Sequence, residues 1–287
     1  MTPKKGSAPF LGAAAAVVVV LLSATTPAQA PPTLEDVLQR MRAYLAEYAH
    51  HLPAIVATER YEQRVGSGMR RQQRRLQSDY GLIQLPGDSA WLGFREVLMV
   101  DGRPVTDSAR RLTELFTEPS SRRFEQARRI AEESARYNIG PVIRTINDPS
   151  LILELLDARN SHRMSFSKDS EAAIDGTHAW IIKYRETVRP TIISTRDKKD
   201  QPAQGRAWID PVTGKILRGQ VSVEPGMGVT GTVDVTFALD SSVGFPVPSK
   251  MTERYTNRNF VTMSSGEATY SNYRKFTVDV EENIPLK

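Results

Sequence analysis

From Val229 to Leu239 the chain alternates without a break. Val229, Gly231, Val233, Val235, Phe237 and Leu239 fall on one face, and Thr230, Thr232, Asp234, Thr236 and Ala238 on the other. Period two with one oily and one wet side marks an antiparallel strand that packs through a single face. The same period governs the chain after residue 160. Trp180, Ile182 and Tyr184 alternate with Ala179, Ile181 and Lys183, while 205–210 and 215–224 flank the tight turn Asp210-Pro211-Val212-Thr213-Gly214. Segments 248–258, 261–271 and 273–282 read as further strands. Earlier, 54–65, 74–85 and Trp91–Val100 are extended in character, and Asp101-Gly102 is a strong hairpin signal. Such a meander must bury its apolar face against something.

Helices are available for that task. Thr33 caps a helix whose first turn holds Glu35 and Asp36, and Leu34, Val37, Leu38, Met41, Leu45 and Tyr48 form its apolar stripe to an end near His50–Pro53. Residues 107–157 return to helical spacing. Asp107 or Ser108 caps a short helix with Leu112, Leu115 and Phe116. A second spans about 120–137, with Phe124, Ala127, Ile130, Ala131 and Ser134 on one face. Gly140 sits in a stop signal, and Asp148-Pro149 opens a third helix with Leu151, Ile152, Leu155 and Leu156. The expected fold is α+β: a large curved antiparallel sheet, an incomplete β-barrel, with the N-terminal helix and the insert 107–157 plugging its concave face. Arg70, Arg71, Arg74 and Arg75 read as a solvated edge or hairpin, and Arg196–Gln204 as a mobile hairpin loop.

The first thirty residues read as a secretory signal peptide: Lys4 and Lys5, the apolar run Ala13–Leu22, then Ala28-Gln29-Ala30. The run is shorter than the roughly 20 residues of a comfortable span. Pro31 disfavours cleavage after Ala30, and a cut after Ala28 is the substitute. The expected organisation is a leader over 1–30 and one half-barrel domain over 31–287, in the periplasm or secreted. The chain has no cysteine, so no lipid anchor, thiol nucleophile or thiolate metal site is available. Hydrophobic residues make up 40% and charged residues 25%, an ordinary globular balance. Loss of the leader lowers the formal charge from +5 to +3, too slight to point to polyanion binding as the main task or to nucleic acid as a partner.

Catalytic constellations are weak. His50 and His51 diverge on a helix, and His162 and His178 lie apart, so no metal site is expected. Ser165-Phe166-Ser167-Lys168 matches Ser-x-x-Lys but sits in a strand-like segment without companion motifs. Glu133 with Arg136, and Glu186 with Arg189, read as salt bridges. Gly226-Met227-Gly228 lacks a following helix or lysine, so no cofactor is expected. No catalytic residue is assigned. If the helices plug a strongly curved sheet, the interior can open into a lipid-sized cavity. Trp91, Phe94, Trp180, Tyr184, Trp208, Val233, Val235 and Phe237 are the candidate lining, with plain core packing as the competing reading.

The order of leader, long helix, three strands, helical insert and meander, with Ala207-Trp208-Ile209-Asp210 and the Trp-Ile-Asp-Pro-x-x-Gly hairpin at 208–214, resembles the envelope lipoprotein-localisation-factor superfamily. That superfamily includes lipoprotein carriers and a related envelope-stress regulator. The resemblance implies an incomplete barrel plugged by helices, with a hydrophobic cavity for acyl chains and no catalysis. Its implied partners are a lipid or a lipoprotein, or alternatively an envelope protein bound by a module with a filled core. Any membrane contact would be transient. The insert at 107–157 is longer and more helical than a simple carrier would carry, and no binding residue transfers by motif.

Overall fold

A computed structural model describes Met1 and residues 30–52, 54–66, 71–84, 91–105, 111, 114–116, 120–144, 146–195, 197–223, 229–259 and 261–275. The chain divides into two units, Met1–Pro31 and Pro32–Lys287, and every element below belongs to the second. Helix α1 spans Leu34–His51 and starts in a capping box: the Thr33 hydroxyl accepts the Asp36 N–H at 3.2 Å, and the Asp36 carboxylate accepts the Thr33 N–H at 2.8 Å. Its buried stripe is Val37, Leu38, Met41, Tyr44, Leu45 and Tyr48.

Three strands follow, β1 Ala54–Val65, β2 Gln72–Gln84 and β3 Trp91–Val100, with a two-residue β4 at Arg103–Pro104. Asp101 and Gly102 both take positive φ (49° and 80°), the backbone that lets a two-residue hairpin match strand twist. Helix α2 spans Ser120–Ser134, a 3-10 turn continues it to Tyr137, and α3 is a short helix at Leu151–Leu156. The meander then runs β5 Met164–Ile174, β6 Thr177–Glu186, β7 Gln204–Ile209, β8 Ile216–Val223, β9 Val229–Asp240, β10 Phe245–Asn257 and β11 Thr262–Lys275. One strand stands where two had been expected at 261–271 and 273–282. The ladder to β1 continues through Ser271 to Lys275, and residues beyond 275 lie outside those described.

All eleven strands form one antiparallel sheet in the order β4-β3-β2-β1-β11-β10-β9-β8-β7-β6-β5. It is strongly curved. The Tyr48 ring lies 5.5 Å from Trp91 on β3 and 5.7 Å from Phe245 on β10. Those strands are four places apart, roughly 19 Å along a sheet with ~4.8 Å spacing. One phenol ring touches both only because the sheet bends around α1.

The helices divide between the two faces. α1, α3 and the stretches 138–144 and 146–149 cover the concave side, packing with Ile55, Leu82, Tyr184, Val233, Val235 and Phe237 in the main core. α2 is on the other side of the sheet's first end. Its Ala127 and Ile130 join Leu115 and Phe116 over Val56, Ile83 and Phe94, whose chain neighbours Ile55, Ala57 and Leu82 face the opposite way. Because β3 is covered on both faces, seven successive residues from Trp91 are buried or nearly so. β2 is an interior strand in a hairpin with β1, so the arginines at 71–75 belong to that hairpin, the second of the two expected settings, and not to a sheet edge. Of the expected first insert helix, 114–116 is helical, and 106–110, 112–113 and 117–119 lie outside the described residues. The expected loop at 196–204 is held at its base: Thr195 N–H donates to the Lys199 carbonyl at 3.0 Å, and Gln201 N–H to that of Ile193 at 3.0 Å.

Candidate functional site

The concave side of the half-barrel is where a ligand would sit, and six of the eight candidate residues face it. The register aligns Trp180, Ile182 and Tyr184 on β6 with Ile209, Ala207 and Gly205 on β7, and Val233 and Val235 with Val221 and Gly219 on β8. Trp91, Trp180, Tyr184, Val233, Val235 and Phe237 all belong to the main core cluster. Phe94 and Trp208 do not share that lining. Phe94 points under α2, and Trp208 points out, with the Arg218 guanidinium 4.4 Å from its ring centre. Alternation set both directions, but which parity faces inward depends on neighbouring strands and on a bulge after Trp208.

The six inward residues are packed against the protein's own chain. α3 lies across the trough: Ile152 rests over Gly219 of β8, and the Glu154 carboxylate accepts the Trp91 N–H of β3 at 3.1 Å. Glycine is required at 219, because a Cβ there would come within 2.3 Å of Ile152 Cγ2. β3 and β8 are six places apart in the sheet, roughly 29 Å along its surface. A six-residue helix is only about 9 Å long, so the walls have closed onto it. Ile152, Leu153, Leu155 and Leu156 are all buried. At the far end the Lys168 ammonium lies 3.5 Å from the Trp180 ring centre and covers it.

Next to α3 the interior turns polar. Arg144 is fully buried and donates to Glu253, to the Ser264 hydroxyl at 2.6 Å and to the Tyr61 hydroxyl at 3.2 Å. Tyr61 in turn donates to Glu253. Arg95 grips Glu59 through two nitrogens and sits 4.9 Å from the Tyr61 ring centre. Tyr80 donates to the Asp148 carboxylate at 2.7 Å. Burial pushes the Tyr61 phenol up, against the pull of Arg144 and Arg95, and burial with the nearby Asp148 charge pushes Tyr80 up. These groups fix the irregular stretches 138–144 and 146–149 to β1, β2, β10 and β11. Sequence reasoning missed them, since Glu59, Glu253 and Gln63, which bonds Asn138 and the Ile139 N–H, interrupt strands only as isolated polar residues; their inward parity was the available signal.

A space of about 150 Å³ remains beside Tyr80, Gly93, Arg95, Arg144 and Asp148. It is polar and is small against the roughly 300–1,000 Å³ of usual ligand pockets. The catalytic alternatives also resolve into structure. Glu133 pairs with Arg111 at 2.5 Å rather than with Arg136. Glu186 is buried and accepts the Ile192 N–H at 2.8 Å with Arg163 nearby at 3.4 Å, rather than Arg189. Ser165 bonds the Arg185 carbonyl while Lys168 pairs with Glu171, so the two point apart. Among the described residues no cluster of three or more His, Asp or Glu could hold a metal, and no helix is long and apolar enough to cross a membrane.

No family model matches the chain, and no curated protein matches it. Among solved structures it is similar to a LolA superfamily protein from Nitrosomonas europaea, with 11% identity and a TM-score of 0.37 over 87% of this chain and 99% of that one. A DUF1329 family protein from Desulfovibrio piger shares 11% identity at a TM-score of 0.33, over 88% of this chain and 92% of that one. The lipoprotein LppX of Mycobacterium tuberculosis shares 10% identity at 0.25, over 87% and 100%. The likeness is one of fold.

Proposed function

We propose that this chain is an exported, non-catalytic binding module whose half-barrel is closed from within by its own residues 138–163, and which acts through its surface. In this reading the leader over 1–30 is removed and 31–287 works as one domain in the periplasm or outside the cell. One observation supports it above others: Ile152 and Glu154, two residues apart, are seated on opposite walls of the trough. Native mass spectrometry of protein purified from the cell envelope tests it. The expected mass is that of the bare polypeptide; a stoichiometric lipid adduct would overturn it.

A second reading is favoured by the construction of the plug. α3 has only six residues, and the Ser150 hydroxyl donates back to Asp148 at 2.9 Å instead of accepting from the helix backbone. A lipid or lipoprotein acyl chain that displaced it would meet Trp91, Tyr184, Val233, Val235 and Phe237. That carrier predicts saturable uptake of a fluorescent fatty acid by delipidated protein, with α3 losing its protection as the probe enters.

A further inference from the structure

The sheet face turned away from α1 and α3 carries three shallow hollows of about 430, 470 and 370 Å³. The first two share Gln220, and the second and third share Arg64 and Glu267. They form one furrow that crosses the strands from β5 to β3, roughly 43 Å at ~4.8 Å per strand.

Strand register explains its course. Lys183, Arg206 and Gln220 stand side by side on β6, β7 and β8, and the same row continues through Asp234, Glu267 and Glu62 to Arg75 on β2. The row on one side carries Arg185, Arg254 and Arg64, with only serine, threonine and glutamine between them. The row on the other side carries Arg218, Lys250 and Arg60, and no acid. All carboxylates of the three rows therefore lie in the middle one, and each is engaged. Asp234 holds Arg218 at 2.6 Å, Glu267 holds Lys250 at 3.2 Å, and Glu62 holds Arg64 and, at 3.4 Å, Arg75.

At a register shift in β5, Asp169 holds Lys183 at 2.6 Å and Arg206 at 3.3 Å, so three guanidiniums are left over. Arg60, Arg185 and Arg254 are exposed and have no carboxylate partner among the described residues; Arg185 reaches only the Gln204 amide, at 2.9 Å. Arg185 and Arg254 share one row on β6 and β10, four strands or roughly 19 Å apart, and Arg60 stands on β1 in the row across the furrow, two strands from Arg254 and four residues further along the strands. A net charge of +5 looks modest when averaged over the chain, but here cations are concentrated along a line. Such a line raises the local concentration of a linear polyanion.

We propose that this furrow binds an anionic polysaccharide whose sugars carry carboxylates. Its length suits a chain polymer, its spaced arginines suit repeated carboxylates, and its floor of hydroxyls and amides suits sugar hydroxyls. A peptide is less well served. Peptide grooves use side-chain pockets or a free sheet edge, whereas the backbone under this furrow is already paired within the sheet. The proposal rests on the surface-acting reading above and supplies its partner.

The test titrates the full chain with fluorescent polygalacturonate oligomers at low salt, with dextran of equal length as the neutral control. Saturable binding to polygalacturonate alone is expected, weakening at least tenfold by 0.5 M salt as screening takes hold. The variant Arg60→Glu/Arg185→Glu/Arg254→Glu is expected to lose at least tenfold in affinity with its circular dichroism unchanged. Arg129→Glu/Lys198→Glu/Lys215→Glu changes the net charge equally at exposed sites off the furrow and is expected to stay within about twofold. No binding, equal loss in both variants, or tighter binding to poly-L-glutamate or to anionic lipid vesicles would overturn the proposal. Fatty-acid uptake measured on the same samples reports on the interior alone, so failure of the furrow and failure of the closed half-barrel are told apart.

Discussion

The carboxylate of Glu154 takes the main-chain N–H of Trp91 at 3.1 Å, while two residues earlier Ile152 is wedged over Gly219. One short helix thus joins strands that lie six places apart in the sheet. The curvature and the closure of the half-barrel are one event: the sheet bends as far as the plug allows.

The contact between Ile152 and Gly219 can be measured as a coupling. Ile152→Ala should cost about 2–5 kcal/mol as a buried deletion, and Gly219→Ala about 1–3 kcal/mol by overpacking. The double variant should be less destabilised than the sum by about 1 kcal/mol or more, because each change relieves the other. Urea unfolding of the four proteins checks this. Additive effects would place Ile152 off the wall.

Breaking the pair of Arg144 and Glu253 strands a buried charge. Glu253→Gln or Arg144→Met alone should cost about 3–5 kcal/mol. Arg144→Met/Glu253→Leu should recover most of the loss, since the desolvation penalty leaves with both charges. Thermal and urea midpoints of the three variants decide it.

α2 depends on a different face. Phe94 lies under it and so close to Gly81 that a Cβ there would come within 2.1 Å of Cζ. Phe94→Ala should cost about 3–5 kcal/mol and loosen α2 first. Limited proteolysis should then cut within 120–134 before any strand. Simultaneous cleavage in the concave-side segments would mean that the two faces are not separate.

High pH should unfold the protein through its tyrosines. Burial raises Tyr44, Tyr48, Tyr61, Tyr80, Tyr184, Tyr255, Tyr270 and Tyr273 above the usual phenol value. A group raised on folding contributes stability that is whole below the unfolded pKa, about 10 for tyrosine, and is lost as pH climbs through the folded one. Phenolate absorbance at 295 nm should therefore appear together with loss of circular dichroism above pH ~10. Gradual ionisation near pH 10 with the fold intact would contradict the packing described.

Much of this fold is legible in the sequence because local chemistry and tertiary packing agree. The Thr33 cap, the Asp101-Gly102 turn, the glycine at 214 and the alternation of β9 from Val229 to Phe237 stand where pattern places them, whereas Leu239, expected on the packed face, is 73% exposed at the strand's end. Asp148 makes the capping bond expected of it, its carboxylate accepting the Ser150 N–H at 2.9 Å, and the regular helix begins at Leu151. What pattern cannot give is assembly. Nothing local to α2 says that it crosses to the other face, and nothing local to Phe94 or Trp208 fixes which side their parity serves. The ion pairs of Arg144 and Arg95 join residues 109 and 36 positions apart. The furrow likewise appears only once the register lines up ten strands.

Amide hydrogen exchange of residues 151–156, at neutral pH and without ligand, tests the closed half-barrel most directly. The account predicts that these amides exchange as slowly as those of β1 and β11, through global unfolding alone. Exchange orders of magnitude faster in this helix, with the central strands still protected, would show a lid that opens by itself and would contradict it.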